Sequence, residues 1–315
     1  MAAGEQTLPV QVGVYAACAA VLAPLIMVGN PAVALLVGGG IALVMDREPI
    51  ARSGLFGRYC LQTAIVLLGL KLQLETVWSL SASYTWGVAL FVVSTIVIGL
   101  LLGRLLAAGR IPTQLLSAGT AICGGTTIAS LSPVIGAKAE DTAVTLSLVF
   151  LLNVVALLLF PVIGYWLDLS QTQFGLWSAL AIHDTSSVIA TATIYGDEAG
   201  EVATTIKLGR TLWLIPLVLG ASLMSGQGNV RLRVPGFILL FLLATALATI
   251  LPIPDPITRL ASALSKALLV CALFFVGMGL TRSTVRQIRG RVLWHGVILW
   301  LIVAPVTLLA ILNWV

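Results

Sequence analysis

The chain has 315 residues, of which 59% are hydrophobic and only 9% charged, with 30 glycines and a formal net charge of +5. A soluble domain needs far more polar surface, so this composition excludes a disordered chain, a disulfide-stapled secreted module and an ordinary soluble enzyme. The 17 Lys and Arg residues are spread over short loops with no interleaved aromatics, which argues against nucleic acid and leaves an all-α integral membrane protein whose surroundings are the lipid bilayer.

About 20 apolar residues cross a bilayer core. Eleven apolar segments are predicted, at 9–29, 31–45, 59–74, 84–107, 113–135, 141–167, 174–195, 202–224, 235–251, 257–280 and 292–314. Glu5 stands where a signal peptide would carry basic residues, so the first segment reads as a retained helix. The linkers are short and hold helix stoppers, such as Asn30-Pro31, Arg110-Ile111-Pro112 and the run from Pro252 to Pro256, so residues 1–315 make one transmembrane domain. Cys18, Cys60, Cys123 and Cys271 lie in apolar segments without metal-ligand or redox spacing and read as small hydrophobes. No metal and no cofactor is expected.

Loops rich in Lys and Arg stay on the cytoplasmic side. Arg47, Arg52 and Arg58 set residues 46–58 inside, and Arg104, Arg110, Arg231, Arg233, Arg282, Arg286, Arg289 and Arg291 follow them if segments five to eight leave the parity unchanged. The amino terminus is then cytoplasmic and the carboxyl terminus periplasmic, in a bacterial inner membrane.

The stretch LLGLKLQLETV at 67–77 has a counterpart in FVGMGLTRSTV at 275–285, which aligns Gly69 with Gly277, Leu72 with Leu280 and Thr76 with Thr284. A second match sets AICGGTTIAS at 121–130 against AIHDTSSVIA at 181–190, and DTAVTLSL at 141–148 against EVATTIKL at 201–208. Together they predict inverted repeats, 30–167 and a permuted 174–314, with the site at their interface. Cys123-Gly124-Gly125-Thr126-Thr127 and His183-Asp184-Thr185-Ser186-Ser187 interrupt segments five and seven with polar or glycine-rich residues, and Pro133 closes the first of these segments. Such residues sit inside an apolar segment where the backbone leaves helical geometry. Re-entrant hairpins put twelve cations inside and preserve the inversion, so charge asymmetry favours them; crossed broken helices are the alternative.

A helix that begins within the membrane presents unpaired N–H groups and the positive end of its dipole, a ready anion site. Gly124, Gly125, Thr126 and Thr127 from one interruption, with Thr185, Ser186 and Ser187 from the other, would form an oxyanion cup. The alternative is that these hydroxyls cap their own half-helices or hold helices together. Lys207 and Arg210, six and nine residues into the eighth segment counted from Glu201, would neutralise the anion, or pair with Asp184, Asp197 or Glu201. His183 and Asp184 form an ionisable pair inside an interruption and are candidates for coupling H+ or Na+ movement, although Asp184 is equally placed to cap the helix after it. Asp141 and Glu201 sit at helix starts, where the dipole favours a carboxylate. Lys71 with Glu75, and Lys266, read as surface or snorkelling residues. His295 and Trp78, Trp86, Trp166, Trp177, Trp294, Trp300 and Trp314 read as interfacial, and Asn153 as a bridge between helices.

The motifs AICGGTTIAS, AEDTAVTLSLVF, FGLWSALAIHDTSSVIATA and EVATTIKLGRTLWLIPLVL resemble the sulfate exporter family of bacterial inner-membrane proteins over most of residues 30–313. More distantly, the CGGTT break is similar to that of bile acid:sodium symporter-type anion transporters. The resemblance implies paired discontinuous helices, alternating access and a sulfate or organosulfonate substrate; the residues by themselves support only an anion. The expectation is a secondary transporter and not an enzyme, with a homodimer left open. Its rivals are a passive anion channel and an intramembrane enzyme using His183 and Asp184 as acid and base.

Overall fold

The computed structural model describes residues 8–46, 50, 53–225, 236–251, 253–279, 282 and 290–314. Arg47, Arg52, Arg231, Arg233, Arg286 and Arg289, and Leu280 and Thr284 of the second repeat match, lie outside the described residues. The described residues form helices and no strands: α1 (Leu8–Val28), α2 (Pro31–Met45), α3 (Ser53–Gly69), α4 (Leu74–Leu105), α5 (Arg110–Ala121), α6 (Gly124–Val134), α7 (Ala139–Trp166), α8 (Gln171–Ala181), α9 (Thr185–Tyr195), α10 (Asp197–Thr211), α11 (Leu214–Ser225), α12 (Gly236–Ile250), α13 (Asp255–Met278) and, after residue 289, α14 (Gly290–Trp314).

Five stretches among the described residues are long and apolar enough to cross a membrane: Leu74–Leu105, Ala139–Trp166, Asp197–Leu223, Asp255–Met278 and Gly290–Trp314. Ala17–Val28, Pro31–Met45 and Leu239–Ile250 are shorter apolar helices. Several expected boundaries are displaced. Helix α10 begins at Asp197 and not at 202, which puts Glu201 in its second turn instead of at its start. The third segment occupies 53–69, and the helix after it begins at Leu74 rather than near 84. Residues 74–84 contain neither Gly nor Pro, so nothing stops a helix there despite their polarity. Between α10 and α11 the break at Leu212–Trp213 has a local cause: Pro216 has no N–H for the Leu212 carbonyl and its ring crowds that oxygen.

Segments five and seven both fold back as helical hairpins. In the second, the Phe174 ring near the start of α8 stacks on Tyr195 at the end of α9, with centroids 3.9 Å apart. At the same base Gln171 Oε1 accepts the N–H groups of Glu198 and Ala199 at 3.1 and 3.3 Å. In the first, a Cβ built on Gly119 would meet Ile128 at 3.1 Å, a contact that two collinear halves would not allow. Helix α7 joins the two hairpins with 28 residues, about 42 Å at 1.5 Å per residue, so their bases lie at opposite ends of the bundle. Their tips meet: the Gly124 N–H donates to the His183 carbonyl at 3.1 Å.

Two sub-bundles follow from the pattern of contacts. Helices α4 to α11 and α14 surround the hairpins, while α1, α2, α3, α12 and α13 pack on one another. Sparse contacts of α13 and α2 with α9, α2 with α7 and α12 with α4 join them, helped by two small apolar clusters around Ile189 and Ala190. Within the second sub-bundle α2 and α13 touch backbone to backbone at glycine. A Cβ on Gly277 would overlap the Leu35 carbonyl oxygen and lie 2.8 Å from the Gly39 nitrogen; one on Gly38 would overlap the Phe274 oxygen. Small residues allow such close approach where lipid supplies little hydrophobic drive between helices.

Gly277→Leu should therefore force α2 and α13 apart and lower the apparent melting temperature of detergent-purified protein by several degrees, overpacking costing about 1–3 kcal/mol. Gly40→Leu, where a Cβ meets nothing within 4 Å, should leave it unchanged in the same fluorescence-detected thermal assay. Equal melting of the two variants would refute this account of the α2–α13 contact.

Candidate functional site

The centre of the first sub-bundle is a crossing of four half-helix ends. α5 and α8 arrive with their carbonyl ends, α6 and α9 leave with their N–H ends, and each end carries groups that no helix pairs internally. Glycine is required at the tip itself, because a Cβ on Gly124 would overlap Val149 of α7 and lie 3.1 Å from the His183 Cβ.

The carbonyl ends are held by two fully buried cations from α10. Arg210 donates from Nε to the Ile122 carbonyl at 2.6 Å, from Nη1 to Ala179 and Leu180 at 2.8 and 2.5 Å, and from Nη2 to Thr120 at 3.2 Å. One guanidinium thus closes the C-terminal turns of both α5 and α8, where the negative dipole end favours a cation. Its carbon Cζ lies 5.0 Å from the Phe91 ring centroid. Lys207 Nζ donates to the Ile182 carbonyl at 2.7 Å. Trp300 Nε1 donates to the Ala181 carbonyl at 3.0 Å, and at the neighbouring residue Asn153 Oδ1 accepts the His183 N–H at 3.1 Å. The structure joins Lys207 and Arg210 to backbone oxygens, and among the described residues neither forms an ion pair with Asp184, Asp197 or Glu201.

The N–H ends are held more lightly. Asp184 is the N-cap of α9: its Oδ2 accepts the Ser186 N–H at 3.0 Å and also the Ser186 hydroxyl. Its other oxygen faces hairpin one, 3.8 Å from where a Gly125 Cβ would stand. A carboxylate of the protein thus occupies the space between the two positive helix ends. On α6 the Thr127 hydroxyl accepts the Cys123 N–H at 3.1 Å, and Cys123 Sγ and Thr185 Oγ1 are 3.5 Å apart across the tips. The first-turn amides of Gly125 and Thr126 have no place in a helical ladder, and both residues are partly accessible. Thr127, Thr185, Ser186 and Ser187 are buried.

At the tips lie buried polar atoms without a protein partner: both ring nitrogens of His183 and Nδ2 of Asn153, whose Oδ1 holds the His183 N–H. Buried polar groups are ordinarily paired, so a run of them in one region marks room for water or an ion. Among the described residues no three of His, Cys, Asp and Glu gather to hold a metal ion.

Several expected roles change. Trp177 and Trp300 are core residues and not interfacial anchors: Trp177 stacks on Phe160 with centroids 3.9 Å apart and donates to the Ala304 carbonyl. His295 is fully buried, its Nε2 2.8 Å from the Gly99 carbonyl, because the turn of α14 that carries it packs against α4. Lys71 pairs with Glu201 at 3.2 Å rather than with Glu75, since the turn at 70–73 removes the helical spacing that would bring Glu75 near. Lys266 pairs with Asp197 at 2.8 Å. Trp78, Trp86, Trp166, Trp294 and Trp314 are exposed, as interfacial anchors should be.

Residues 9–296 match the family described as "Conserved hypothetical protein 698". A UPF0324 membrane protein of Geobacter sulfurreducens is 41% identical over 282 residues, which cover 89% of this chain and 91% of that protein. Another from Bdellovibrio bacteriovorus is 38% identical over 293 residues, 91% and 90% of the two chains. One from Shewanella oneidensis is 42% identical over 252 residues, 80% of each. No solved structure matches the chain.

Arg210→Met should leave three buried carbonyls and the partly buried Leu180 carbonyl without their donor. Removing one partner from a buried charged set costs about 3–5 kcal/mol. The variant should accumulate poorly in membranes and aggregate at lower temperature. Arg210→Lys keeps the charge but not the planar fork, and should fall between it and the parent. Parental melting in both variants would show that the guanidinium is dispensable to the crossing.

Proposed function

The chain belongs to the conserved hypothetical protein 698 family of UPF0324 membrane proteins, and we propose that it is a secondary transporter of a small anion, such as sulfate or an organosulfonate, working by alternating access. The observation that carries this reading is the crossing of two broken-helix hairpins entered from opposite ends of the bundle, beside a second sub-bundle to which contacts are sparse. Half-helices of 11 or 12 residues reach about 17 Å each at 1.5 Å per residue, so the crossing falls near the middle of a bilayer core of about 30 Å. Two hairpins of opposite direction are what inverted repeats 30–167 and 174–314 would produce.

Orientation rests on charge. Arg104, Arg110, Lys138 and Arg291 flank helix termini at the end of the bundle where the α5–α6 hairpin has its base, and Arg58 lies in the second turn of α3. Taking that end as cytoplasmic satisfies the bias of short loops and sets the carboxyl terminus in the periplasm of a bacterial cell.

The substrate oxyanion takes the N–H ends. The amides of Gly125 and Thr126 and the hydroxyls of Thr126, Thr127, Thr185, Ser186 and Ser187 are the donors, with Lys207 as the countercharge. The Gly124 amide is committed to the His183 carbonyl and shapes the cup instead of donating into it. Arg210 serves as the fixed cap that keeps the carbonyl ends from repelling the anion. Asp184 supplies the coupling: while ionised, it holds the Ser186 donors and faces Gly125, so it and the substrate compete for one place. A proton or sodium ion on Asp184 removes that competition, with His183 as the adjacent acceptor for the proton.

Purified protein in proteoliposomes should take up radiolabelled sulfate or taurine saturably, driven by a proton or sodium gradient. Thr126→Val should raise the half-saturating concentration about tenfold or more, since a hydrogen bond to a charged group contributes about 1.5–3 kcal/mol. Asp184→Asn should bind the anion without needing the gradient. Flux that grows linearly with concentration and ignores both gradients would favour a channel and sink the transporter reading.

A further inference from the structure

Both ion pairs among the described residues, Lys71 with Glu201 and Lys266 with Asp197, have one partner on each sub-bundle. Lys71 follows α3 and Lys266 lies on α13, whereas Glu201 and Asp197 lie in the first two turns of α10. They flank the cleft between the sub-bundles at the end where the α8–α9 hairpin has its base. A cavity of 260 Å³ lies there, lined among others by Asn30, Thr193 and Lys266. A smaller neighbouring pocket brings Lys71, Lys266 and Asp197 together with Ser262 and Ser265. Two ammonium groups in one pocket, each held by a single carboxylate, with hydroxyls around them, are complementary to a small oxyanion. The pocket's 20 Å³ is room for a single water, so an anion fits there only when the carboxylates move away. The side chains of Lys266 and Asp197 are 48% and 56% exposed, so water and ions reach them.

We propose that Lys71 and Lys266 form an outer docking site for the transported oxyanion, and that Glu201 and Asp197 are stand-ins the anion displaces. Because each stand-in lies on the other sub-bundle, displacement unlatches the two bodies at this end and opens the space between them. An exposed ion pair alone holds little, so the latch yields to an anion that engages both lysines at once. This inference rests on the transport reading for the nature of its ligand, and it concerns residues that take no part in the crossing.

The test is the rate at which a water-soluble maleimide labels Thr193→Cys, a position lining both cavities, in a chain whose four native cysteines are replaced by alanine. Sulfate and taurine are the probes, in detergent-purified and in vesicle-reconstituted protein. Labelling should be slow without anion and rise several-fold with either probe. Asp197→Asn with Glu201→Gln should label fast without any anion. Lys71→Gln with Lys266→Gln should also label fast, and no anion should change its rate. Anion acceleration that survives loss of both lysines, or its absence in the parent, overturns the docking site. Slow labelling in the carboxylate-neutralised chain overturns the latch. Vesicles that show the docking response but no gradient-driven uptake would count against the transport reading and leave the docking site standing.

Discussion

Arg210 resolves the main difficulty of this fold, which is that two helices end inside an apolar bundle. A helix leaves its last four carbonyls unpaired, and within a bilayer no water reaches them. The carbonyls of Thr120, Ile122, Ala179 and Leu180 come from two such ends, and one planar side chain reaches all of them. A lysine offers a point charge and three rotating donors, which suits the single Ile182 carbonyl that Lys207 takes. The cost of burying a cation is offset at this place because the carbonyls it meets carry the concentrated negative ends of two dipoles.

This division leaves the opposite ends free to do something else. The C-terminal ends are closed by side chains of α10 and α14 whose donors are committed to backbone oxygens. The N-terminal ends are closed by Asp184 and Thr127, short groups from the hairpins themselves, and the partly accessible amides of Gly125 and Thr126 add further donors. The crossing is therefore pinned on its negative side by one guanidinium that reaches both helix ends, and held on its positive side by one short carboxylate and one hydroxyl. In the proposed transport cycle, the positive side is where an oxyanion exchanges for Asp184.

Much of this was legible in the sequence, and the parts that were not have a common reason. Glycine and hydroxyl residues at 123–127 and 183–187 mark the two breaks, because local backbone geometry is written locally. The distribution of arginine and lysine, which constrains insertion, favoured folding back of both segments over crossing but did not decide between them. What escaped is partnership over distance. A sequence shows Lys207 and Arg210 as buried cations but not the carbonyls of other helices that each of them bonds. Lys71 read as a partner of Glu75 because the i+4 spacing is visible, while the turn at 70–73 that spoils it is not. Trp177 and Trp300 stand near segment ends like interfacial anchors, and only the packing of α8 against α14 shows that their indole N–H groups bond to carbonyls in the core.

The same ties decide which surfaces can slide. The hydrogen bond from Gly124 to His183, the sulfur–hydroxyl contact of Cys123 with Thr185, and Arg210 across α5 and α8 make the two hairpins one body with α10. Separating the hairpins would expose several buried polar groups at once. Among the described residues, the boundary with α2, α3 and α13 shows no such ties at depth: apolar side chains meet there, and its ion pairs lie near one end. Apolar contacts can be exchanged for similar ones as surfaces shift, whereas unmade buried hydrogen bonds cost their full desolvation. In the proposed transport cycle, a movement of the crossing relative to the membrane follows this boundary, because it is the place where the fewest buried hydrogen bonds have to break.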